Sequence, residues 1–485
     1  MELRVPLSQD GPDHKSSELT YTQLPPAFFA PVHPSQFADP HLYVLNKPLA
    51  GTFGLNSDWL SSAEGTQLLS GEITLNEGDA IAMAYAGHQF GHYSPLLGDG
   101  RAMLVGELKT ADNLRYDLHL KGSGATPFSR GGDGKATLGS AIREYVMSEA
   151  MAALGVPTTR SLAIVTTGEN VMRSGPFPGA VLARTARSHV RVGTFEYASA
   201  TGDLENLRAL ADFSIDRLYP NIQSDGATRY ADFFTAVATA QAQLIAKWMS
   251  LGFIHGVMNT DNCSIAGETI DYGPCAFLDR FDPGKVFSSI DHQRRYAWNR
   301  QAEIGQWNLA QLAQTLLPVL GDTQDAQVEA ARAGLSNYVK EFQAALHTAM
   351  ANKLGISAGY ENLTDFITQT VTAMATGGVD FTLFFTALTR HAAGGSDAET
   401  WLEAWQDLRQ KEAGSVELMQ ASNPVRIPRN HQVERAIADG EAGNAETMTS
   451  LMKALREPFA EDASLAGYEA APTDDEIVTQ TFCGT

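Results

Sequence analysis

The pattern of hydrophobic and polar positions changes along the chain, from short extended runs to longer helical ones. Between residues 101 and 185 the apolar residues fall in brief β-like runs, which predict strands. The predicted strands cover 102–109, 116–121, 161–167 and 180–185. A helix is predicted over 138–154, because apolar residues recur there with a helical period before Gly155 and Pro157 end it.

Beyond residue 195 the same pattern predicts a helical half. The clearest helix runs from Asp232 to Leu251, carries one apolar face, and stops at Gly252. Further helices are predicted at 307–320, 325–354, 361–375 and 397–412. A β-rich first half is therefore expected to be followed by a mainly helical second half.

The two ends of the chain differ from these halves. The first 75 residues are rich in proline, which interrupts long helices, and they are predicted to form a wrapping extension. The end of the chain is acidic without Lys or Arg, a composition typical of a solvated, disordered tail, although it finishes in Phe482-Cys483. The predicted division is an extension with a β-rich part over 1–195, a helical part over 196–456 and an acidic tail over 457–485.

Composition narrows the function classes. The 485 residues carry a formal charge of −21, which argues against a surface that tracks nucleic-acid phosphates. No run reaches the roughly 18 apolar residues that a membrane span needs, and the first residues resemble neither a secretory signal nor a transit peptide. Three cysteines are too few for a secreted disulfide scaffold. We therefore expect a soluble cytoplasmic protein without nucleic-acid or membrane partners.

The stretch from His255 to Asn262, followed by Asp271-Tyr-Gly, is the strongest chemical signal. Kinase-like enzymes use H-x-D-x-x-x-x-N and D-[FY]-G, in which the first Asp accepts the substrate proton and the Asn and second Asp hold metal against phosphate. Here Val257 occupies the position of the proton-accepting Asp. The sequence thus predicts an α+β, kinase-like fold with two lobes and a nucleotide–metal site. The protein is then either inactive as a kinase or an enzyme that performs different chemistry in the same cleft.

Other residues suit phosphate binding, but each has a structural alternative. Two glycine clusters, at 98–100 and 131–134, allow close approach of backbone amides to phosphate, yet such clusters are also common in turns. Lys121 on a strand and Glu144 on the next helix have the order of a kinase phosphate-binding pair, or they are ordinary surface charges. The Arg-rich stretch 184–191 either binds polyphosphate or forms ion pairs along a strand edge.

Together these residues resemble the selenoprotein O family, whose bacterial members are the YdiU/SelO proteins. The resemblance spans nearly the whole chain. Its motifs are Tyr85-Ala-Gly-His-Gln-Phe-Gly, Leu97-Gly-Asp-Gly-Arg, His119-Leu-Lys-Gly-Ser-Gly, Gly131-Gly-Asp-Gly-Lys, Ser140-Ala-Ile-Arg-Glu-Tyr, His255-Gly-Val-Met-Asn-Thr-Asp-Asn, Ile270-Asp-Tyr-Gly-Pro and Asn423-Pro-Val-Arg-Ile-Pro-Arg-Asn-His.

The resemblance implies a role for each motif residue. Family members bind ATP in a flipped orientation, so that AMP rather than phosphate is transferred. Glu144 is implied to orient Lys121, Asn262 and Asp271 to bind metal, and Asp261 to accept the proton. The implied nucleotide-binding residues are Gly98, Gly100, Arg101, Lys121, Asp133, Gly134, Arg184, Arg191 and Asp271.

The implied activity is protein adenylylation. Such an enzyme takes ATP with Mg²⁺ or Mn²⁺, transfers AMP to Ser, Thr or Tyr hydroxyls of proteins, and releases pyrophosphate. A conventional kinase and a non-catalytic nucleotide-binding pseudokinase are the alternatives. Val257 argues against the kinase, and the retained Asp261, Asn262 and Asp271 argue against the non-catalytic protein. The protein substrates, the use of UTP with Mn²⁺ and the oligomeric state stay open.

The last expectation concerns redox chemistry. Cys483 stands where eukaryotic family members have selenocysteine, and Cys275 lies four residues after Asp271. A reversible disulfide between Cys275 and Cys483 is therefore expected, with Cys263 as a competing partner. The alternative is a buried, inert Cys275 and a free terminal thiol.

Overall fold

The first half of the chain is organised around one large antiparallel sheet. The computed structural model describes residues 19–33, 35–75, 80–392, 402–411 and 415–481. The sheet order is β1-β3-β6-β7-β10-β9-β2, with β8 paired to β10 outside that path. The strands that the structure describes in this half are β1 Phe29–Pro31, β2 His41–Leu45, β3 Ile81–Met83, β4 Gly87–Gln89, β5 His92–Ser94, β6 Ala102–Lys109, β7 Arg115–Lys121, β8 Ala136–Thr137, β9 Arg160–Met172 and β10 Pro176–Ala186.

The second half is mainly helical. Its only strands within the described residues are the short pair β11 (Phe253–Ile254) and β12 (Ala276–Phe277). The α-helices of the described residues are α1 Lys47–Thr52, α2 Ser57–Leu60, α3 Ala63–Ser70, α4 Leu138–Ala153, α5 Val192–Ala200, α6 Leu204–Leu218, α7 Gly226–Ser250, α8 Gln301–Leu316, α9 Gln324–Leu354, α10 Leu363–Gly377, α11 Phe381–Ala392, α12 Leu402–Lys411, α13 Val416–Ser422, α14 Asn430–Glu441 and α15 Glu446–Leu455.

The predicted succession of a β-rich half and a helical half is confirmed. The predicted strand at 102–109 is β6, and the predicted helix at 138–154 is α4, within one residue. The predicted helix from Asp232 begins earlier, at Gly226, and forms α7. Part of the helix predicted at 397–412 lies outside the described residues, and the described part is α12.

The N-terminal segment is more than a wrapping extension. Its β1 pairs with β3, and its β2 pairs with β9, so this segment supplies both edge strands of the main sheet. The predicted boundary at residue 195 falls inside α5. The division into three parts therefore stays a prediction.

Helix α4 joins the sheet to the helical half. It begins at the Thr137 cap, whose side-chain oxygen accepts from the Ser140 N–H and so satisfies one unpaired amide of the first turn. Almost the whole helix is buried, because it packs on β9 and β10 on one side and on α14 and α15 on the other. A helix fixed in this way can hold Glu144 in a constant position beneath the sheet.

The acidic tail is docked on the helical half as far as it is described. Glu461 and Glu469 both form ion pairs with Arg390, and Glu476 pairs with Arg435. At the end of this segment the Thr481 N–H donates to the Phe287 carbonyl over 3.0 Å. Composition alone suggested a disordered tail, and that interpretation is wrong for 457–481. None of the helices in the described part of the chain is long and apolar enough to span a bilayer.

Candidate nucleotide and metal site

A large cleft lies between the sheet and the helical half. Its volume is about 1420 Å³, and its walls include residues of β6, β7, β10, the 257–274 loops and α14. The cleft brings together the predicted site residues from distant parts of the sequence. Those lining it are Gly98, Gly100, Arg101, Lys121, Asp133, Gly134, Arg184, Arg191, Asp261, Asn262 and Asp271.

Lys121 lies at the centre of the charged cluster. Its Nζ is 2.6 Å from Glu144 Oε2 and 3.1 Å from Asp271 Oδ1, so strand β7 is joined to α4 and to the D-Y-G loop. The predicted pair of a strand Lys and a helix Glu is therefore made. Both side chains are largely buried, with 13% of Lys121 and 4% of Glu144 exposed, which excludes the alternative of two ordinary surface charges.

Two arginines complete the cluster. Arg184 Nη1 lies 2.7 Å from Glu144 Oε1 and 2.8 Å from Asp271 Oδ1. Arg191 Nη2 is 3.6 Å from Asp271 Oδ2, and its guanidinium lies 4.3 Å from the centre of the Tyr85 ring. Only 2% of Arg184 and 3% of Arg191 is exposed, so neither belongs to a solvated strand edge. Buried guanidinium groups in a cleft are well suited to bind phosphate.

Asp271 is strongly perturbed by these cations. Burial alone would raise its pKa, but Lys121, Arg184 and Arg191 outweigh burial and hold the pKa well below its usual range. Its backbone adopts a φ of +61°, a left-handed conformation that costs a non-glycine residue on the order of 1–2 kcal/mol. Strain of this kind often occurs at functional sites. The carboxylate is thus ionised and fixed in the cleft.

Asp261 differs from Asp271 in environment. It is 7% exposed, and burial raises its pKa to about 6. Its Oδ2 accepts from Gln89 Nε2 over 3.1 Å. Its Oδ1 is buried and has no hydrogen-bond partner among the described residues. Oδ2 is therefore held by Gln89, and Oδ1 is enclosed next to Gly87. The raised pKa makes this carboxylate a better proton acceptor than an ordinary Asp.

Asn262 contributes an amide side chain to the cleft. Its Nδ2 donates to the Val257 carbonyl over 3.0 Å, which leaves the side-chain oxygen for another partner. Asp271 supplies a second oxygen donor in the same cleft. Hard oxygen donors suit Mg²⁺ and Mn²⁺, and phosphate and water commonly complete such a shell. Among the described residues, no group of three or more His, Cys, Asp or Glu side chains is arranged for a metal.

His255 couples the loop of Asp261 to that of Asp271. Its ring Nε2 donates to the Ile270 carbonyl over 2.8 Å, and its backbone N–H donates to the Gln301 side-chain Oε1 over 3.0 Å. Burial lowers the pKa of this imidazole and so favours the neutral ring. The histidine of the motif thus sets the distance between the two carboxylate-bearing loops.

The two glycine clusters form close turns at the rim of the cleft. Gly98 has a φ of +65°, and a Cβ there would lie 2.3 Å from the Phe128 ring. Gly134 has a φ of +67°, and a Cβ there would lie 2.0 Å from the Gly124 carbonyl oxygen. Any larger residue would move these turns. Asp133 is more open, with 43% of its side chain exposed, and it forms a two-point ion pair with Arg173.

The cysteines are only partly described. Cys275 is fully buried beside Pro274, which lines the cleft, and Cys263 is also buried. Cys483 lies outside the described residues. Thr481, the last described residue, lines the same cleft as Pro274. A disulfide between Cys275 and Cys483 stays a prediction.

Several contributors to the site were not assigned a role from the sequence. Gln89 contacts Asp261, and both Asp99 and His119 lie behind the arginines. Arg143 and Glu434 form an ion pair in the wall of the cleft. Gln89, Asp99, His119 and Arg143 all lie within the family motifs quoted above. That position in a motif was the sequence signal from which they could have been found.

Comparison with known proteins shows the family. The model of the family described as protein adenylyltransferase SelO matches residues 14–456. This chain belongs to that family, and it is accordingly an enzyme of the nucleotidyltransferase class.

Individual relatives agree over nearly their whole length. A protein from Nitrobacter winogradskyi named protein nucleotidyltransferase YdiU is 48% identical over 96% of this chain and 95% of its own. A Rhodopseudomonas palustris protein of the same name is 48% identical over 97% of this chain and 99% of its own. A protein of the same name from Pseudarthrobacter chlorophenolicus is 47% identical over 92% of this chain and 94% of its own.

Proposed function

We propose that this enzyme has a kinase-like fold with two lobes and transfers AMP from ATP to Ser, Thr or Tyr hydroxyls of proteins, with release of pyrophosphate. Mg²⁺ or Mn²⁺ is the proposed cofactor, held by Asn262 and Asp271. The proposed lobes follow the predicted division at residues 195 and 456. UMP transfer from UTP with Mn²⁺ is a secondary activity that the same assays can detect.

The observation that carries this proposal is the pair of buried guanidinium groups, Arg184 and Arg191. Both lie beside Asp271, and both are almost fully removed from solvent. An adenine ring is neutral and gives these cations no charge to neutralise, whereas the β- and γ-phosphates of ATP are negatively charged. If these phosphates lie against the arginines, the α-phosphate is the group that faces the acceptor.

The charged cluster also indicates how ATP is received. Lys121 and Arg184 share Asp271 Oδ1. The phosphates can share the two cations with this carboxylate, while Glu144 keeps both in place. A bound divalent ion would neutralise charge on the pyrophosphate leaving group. Fixed cations in a buried cleft stabilise the same developing charge without reorganising.

Asp261 is the proposed proton acceptor for the attacking hydroxyl. Asp261 lines the cleft, Gln89 holds its Oδ2, and burial raises its pKa to about 6, so this carboxylate can take up the proton of the hydroxyl. Val257, in the position used by a kinase for this purpose, has no group that could accept a proton. The acceptor hydroxyl therefore has to approach from the side of Asp261.

Analysis of the small-molecule products separates this function from its two rivals. The enzyme, a mixed protein substrate, ATP and Mg²⁺ or Mn²⁺ should yield pyrophosphate and no ADP. A kinase would yield ADP, and a non-catalytic nucleotide-binding protein would yield neither. Accumulation of ADP in step with protein modification would contradict AMP transfer.

Replacing either arginine should distinguish ATP from AMP. Arg184→Ala and Arg191→Ala should each weaken ATP binding much more than AMP binding, because the arginines contact the β- and γ-phosphates. Loss of one charge-assisted hydrogen bond should cost about 1.5–3 kcal/mol. Calorimetric titration with both nucleotides measures the difference. Equal weakening of ATP and AMP would refute the flipped orientation.

The tail should act as a redox-dependent restraint on the cleft. Mild oxidation should join Cys483 to Cys275, because the tail reaches the cleft at Thr481 and Cys275 follows Pro274. A disulfide of this kind is regulatory, and reduction should reverse it. Since Cys275 is fully buried, its segment has to open before the bond can form.

Peptide mapping without reductant tests this pairing. The expected product is a cross-linked peptide containing both cysteines, with activity that changes on addition of dithiothreitol. Cys483→Ala is the matched control and should make activity insensitive to oxidant. An unpaired Cys483 in oxidised protein, with activity indifferent to dithiothreitol, would rule out the switch.

A further inference from the structure

A fully buried histidine lies directly behind Arg184. His119 on β7 is the register partner of Arg184 on β10, so the two side chains leave neighbouring antiparallel strands at the same level. Arg184 Nε donates to His119 Nδ1 over 3.2 Å. The other ring nitrogen, Nε2, is 3.1 Å from Asp99 Oδ2. Asp99, His119 and Arg184 thus form a continuous chain of hydrogen bonds.

The chemistry of the three groups fixes the direction of these bonds. A guanidinium nitrogen can only donate, so Nδ1 of His119 has to accept. The single ring N–H is then at Nε2, and it donates a hydrogen bond to the Asp99 carboxylate. Burial lowers the pKa of His119 more than Asp99 raises it, which is consistent with a neutral imidazole. His119 therefore has one tautomer that satisfies both partners.

The ring plane of His119 is also fixed. The His189 ring stacks on it at a centroid distance of 4.2 Å and an interplanar angle of 17°. His189 Nδ1 is in turn bound to Asp117 Oδ2 over 2.9 Å. His119 has little freedom to rotate away from Arg184, because His119, His189, Asp117 and Arg184 are all buried.

These contacts restrict which edge of Arg184 is available to a ligand. Nε is bound to His119, and Nη1 is bound to Glu144 and Asp271. Among the described hydrogen bonds of Arg184, none uses Nη2. The guanidinium is therefore held on two of its nitrogens, and the third can be presented to the cleft.

We propose that Asp99 and His119 are positioning residues that fix the Arg184 guanidinium, so that its Nη2 faces the terminal phosphates of a nucleoside triphosphate. This inference rests on the proposed function, because that function places phosphate at Arg184. It adds a support behind the site, in which a neutral imidazole accepts a hydrogen bond from an arginine and donates one to a buried carboxylate.

Three substitutions of His119 separate hydrogen bonding from packing. His119→Phe keeps a flat ring but lacks the acceptor. His119→Gln can reach Asp99 but places no acceptor at the former Nδ1. His119→Asn places its side-chain oxygen where Nδ1 lies, and it is the rescuing variant. Calorimetry of the full chain with Mg-ATP and with AMP is the readout, alongside thermal melting to show that each variant is folded.

We expect His119→Phe and His119→Gln to weaken Mg-ATP binding about tenfold, the effect of losing roughly one hydrogen bond to a charged group. AMP binding should change less than twofold, and His119→Asn should restore most of the ATP affinity. A purely structural role would weaken both nucleotides together and would not be rescued by Asn. That pattern would overturn the inference.

A double substitution shows whether His119 acts through Arg184. In an Arg184→Ala background, His119→Phe should cause no further loss of ATP affinity. A further loss as large as in the wild type would overturn the inference. If Arg184→Ala weakens ATP but His119→Phe does not, the inference fails while the proposed function stands. If Arg184→Ala leaves ATP binding unchanged, the placement of phosphate fails, and this inference with it.

Discussion

Asp271→Ala should abolish nucleotidyl transfer. The substitution removes one of the two proposed protein ligands of the metal and the carboxylate around which Lys121, Arg184 and Arg191 are arranged. Metal-ion stabilisation of a transition state is worth several kcal/mol, so kcat should fall by on the order of 10³-fold. Steady-state transfer at millimolar Mg²⁺ measures the effect.

Two further measurements make this result specific. Thermal melting should change by only a few degrees, because Glu144 and Asp99 remain as carboxylate partners of the cations. Asp282→Ala, at an exposed turn, is the matched control and should keep full activity. An Asp271→Ala enzyme with wild-type turnover at millimolar Mg²⁺ would show that the metal ligands were wrongly assigned.

Asp261→Asn should lower kcat while leaving ATP bound. The asparagine side chain has the same size as that of Asp261 and stays next to Gln89. It cannot accept the proton of the attacking hydroxyl. General-base catalysis typically contributes 10²- to 10⁴-fold, so a loss of about that size is expected. Single-turnover kinetics together with ATP titration separates chemistry from binding.

The matched control is Asp282→Asn, the same change at an exposed turn. It should leave both kcat and ATP affinity at wild-type values. If Asp261→Asn loses ATP affinity in proportion to kcat, Asp261 acts in nucleotide binding rather than as the proton acceptor. Turnover at the wild-type rate would remove Asp261 from the mechanism altogether.

The local pattern of the sequence predicted the elements that carry the site. Strands β6 and β7 and helix α4 follow from short apolar runs and a helical period, and these elements hold Lys121 and Glu144. The spacing of His255, Asn262 and Asp271 indicated two loops that belong together. Such signals work because periodicity and motif spacing depend on neighbouring residues only.

Long-range pairing could not be predicted in the same way. The edge strands β1 and β2 are short, and their positions depend on partners far along the chain. Gln89 reaches Asp261 across 172 positions, and no periodicity connects a hairpin strand to a loop so distant. The walls of the cleft formed by α14 depend in the same way on tertiary packing.

The acidic tail shows a different limit of composition. Its charge predicted solvation, but the helical half offers Arg390 and Arg435 as partners for Glu461, Glu469 and Glu476. Composition counts charges on one segment and does not show the charges that face it. The tail therefore follows the surface of the helical half instead of leaving it.

The most direct test of AMP transfer is mass spectrometry of an acceptor protein after reaction with ATP and Mg²⁺ or Mn²⁺. The expected result is an added AMP on a Ser, Thr or Tyr side chain, formed by the wild-type enzyme and absent with Asp271→Ala. Peptide fragmentation identifies the modified residue. An added phosphate, or an acceptor that stays unmodified while ATP binds, would contradict the account.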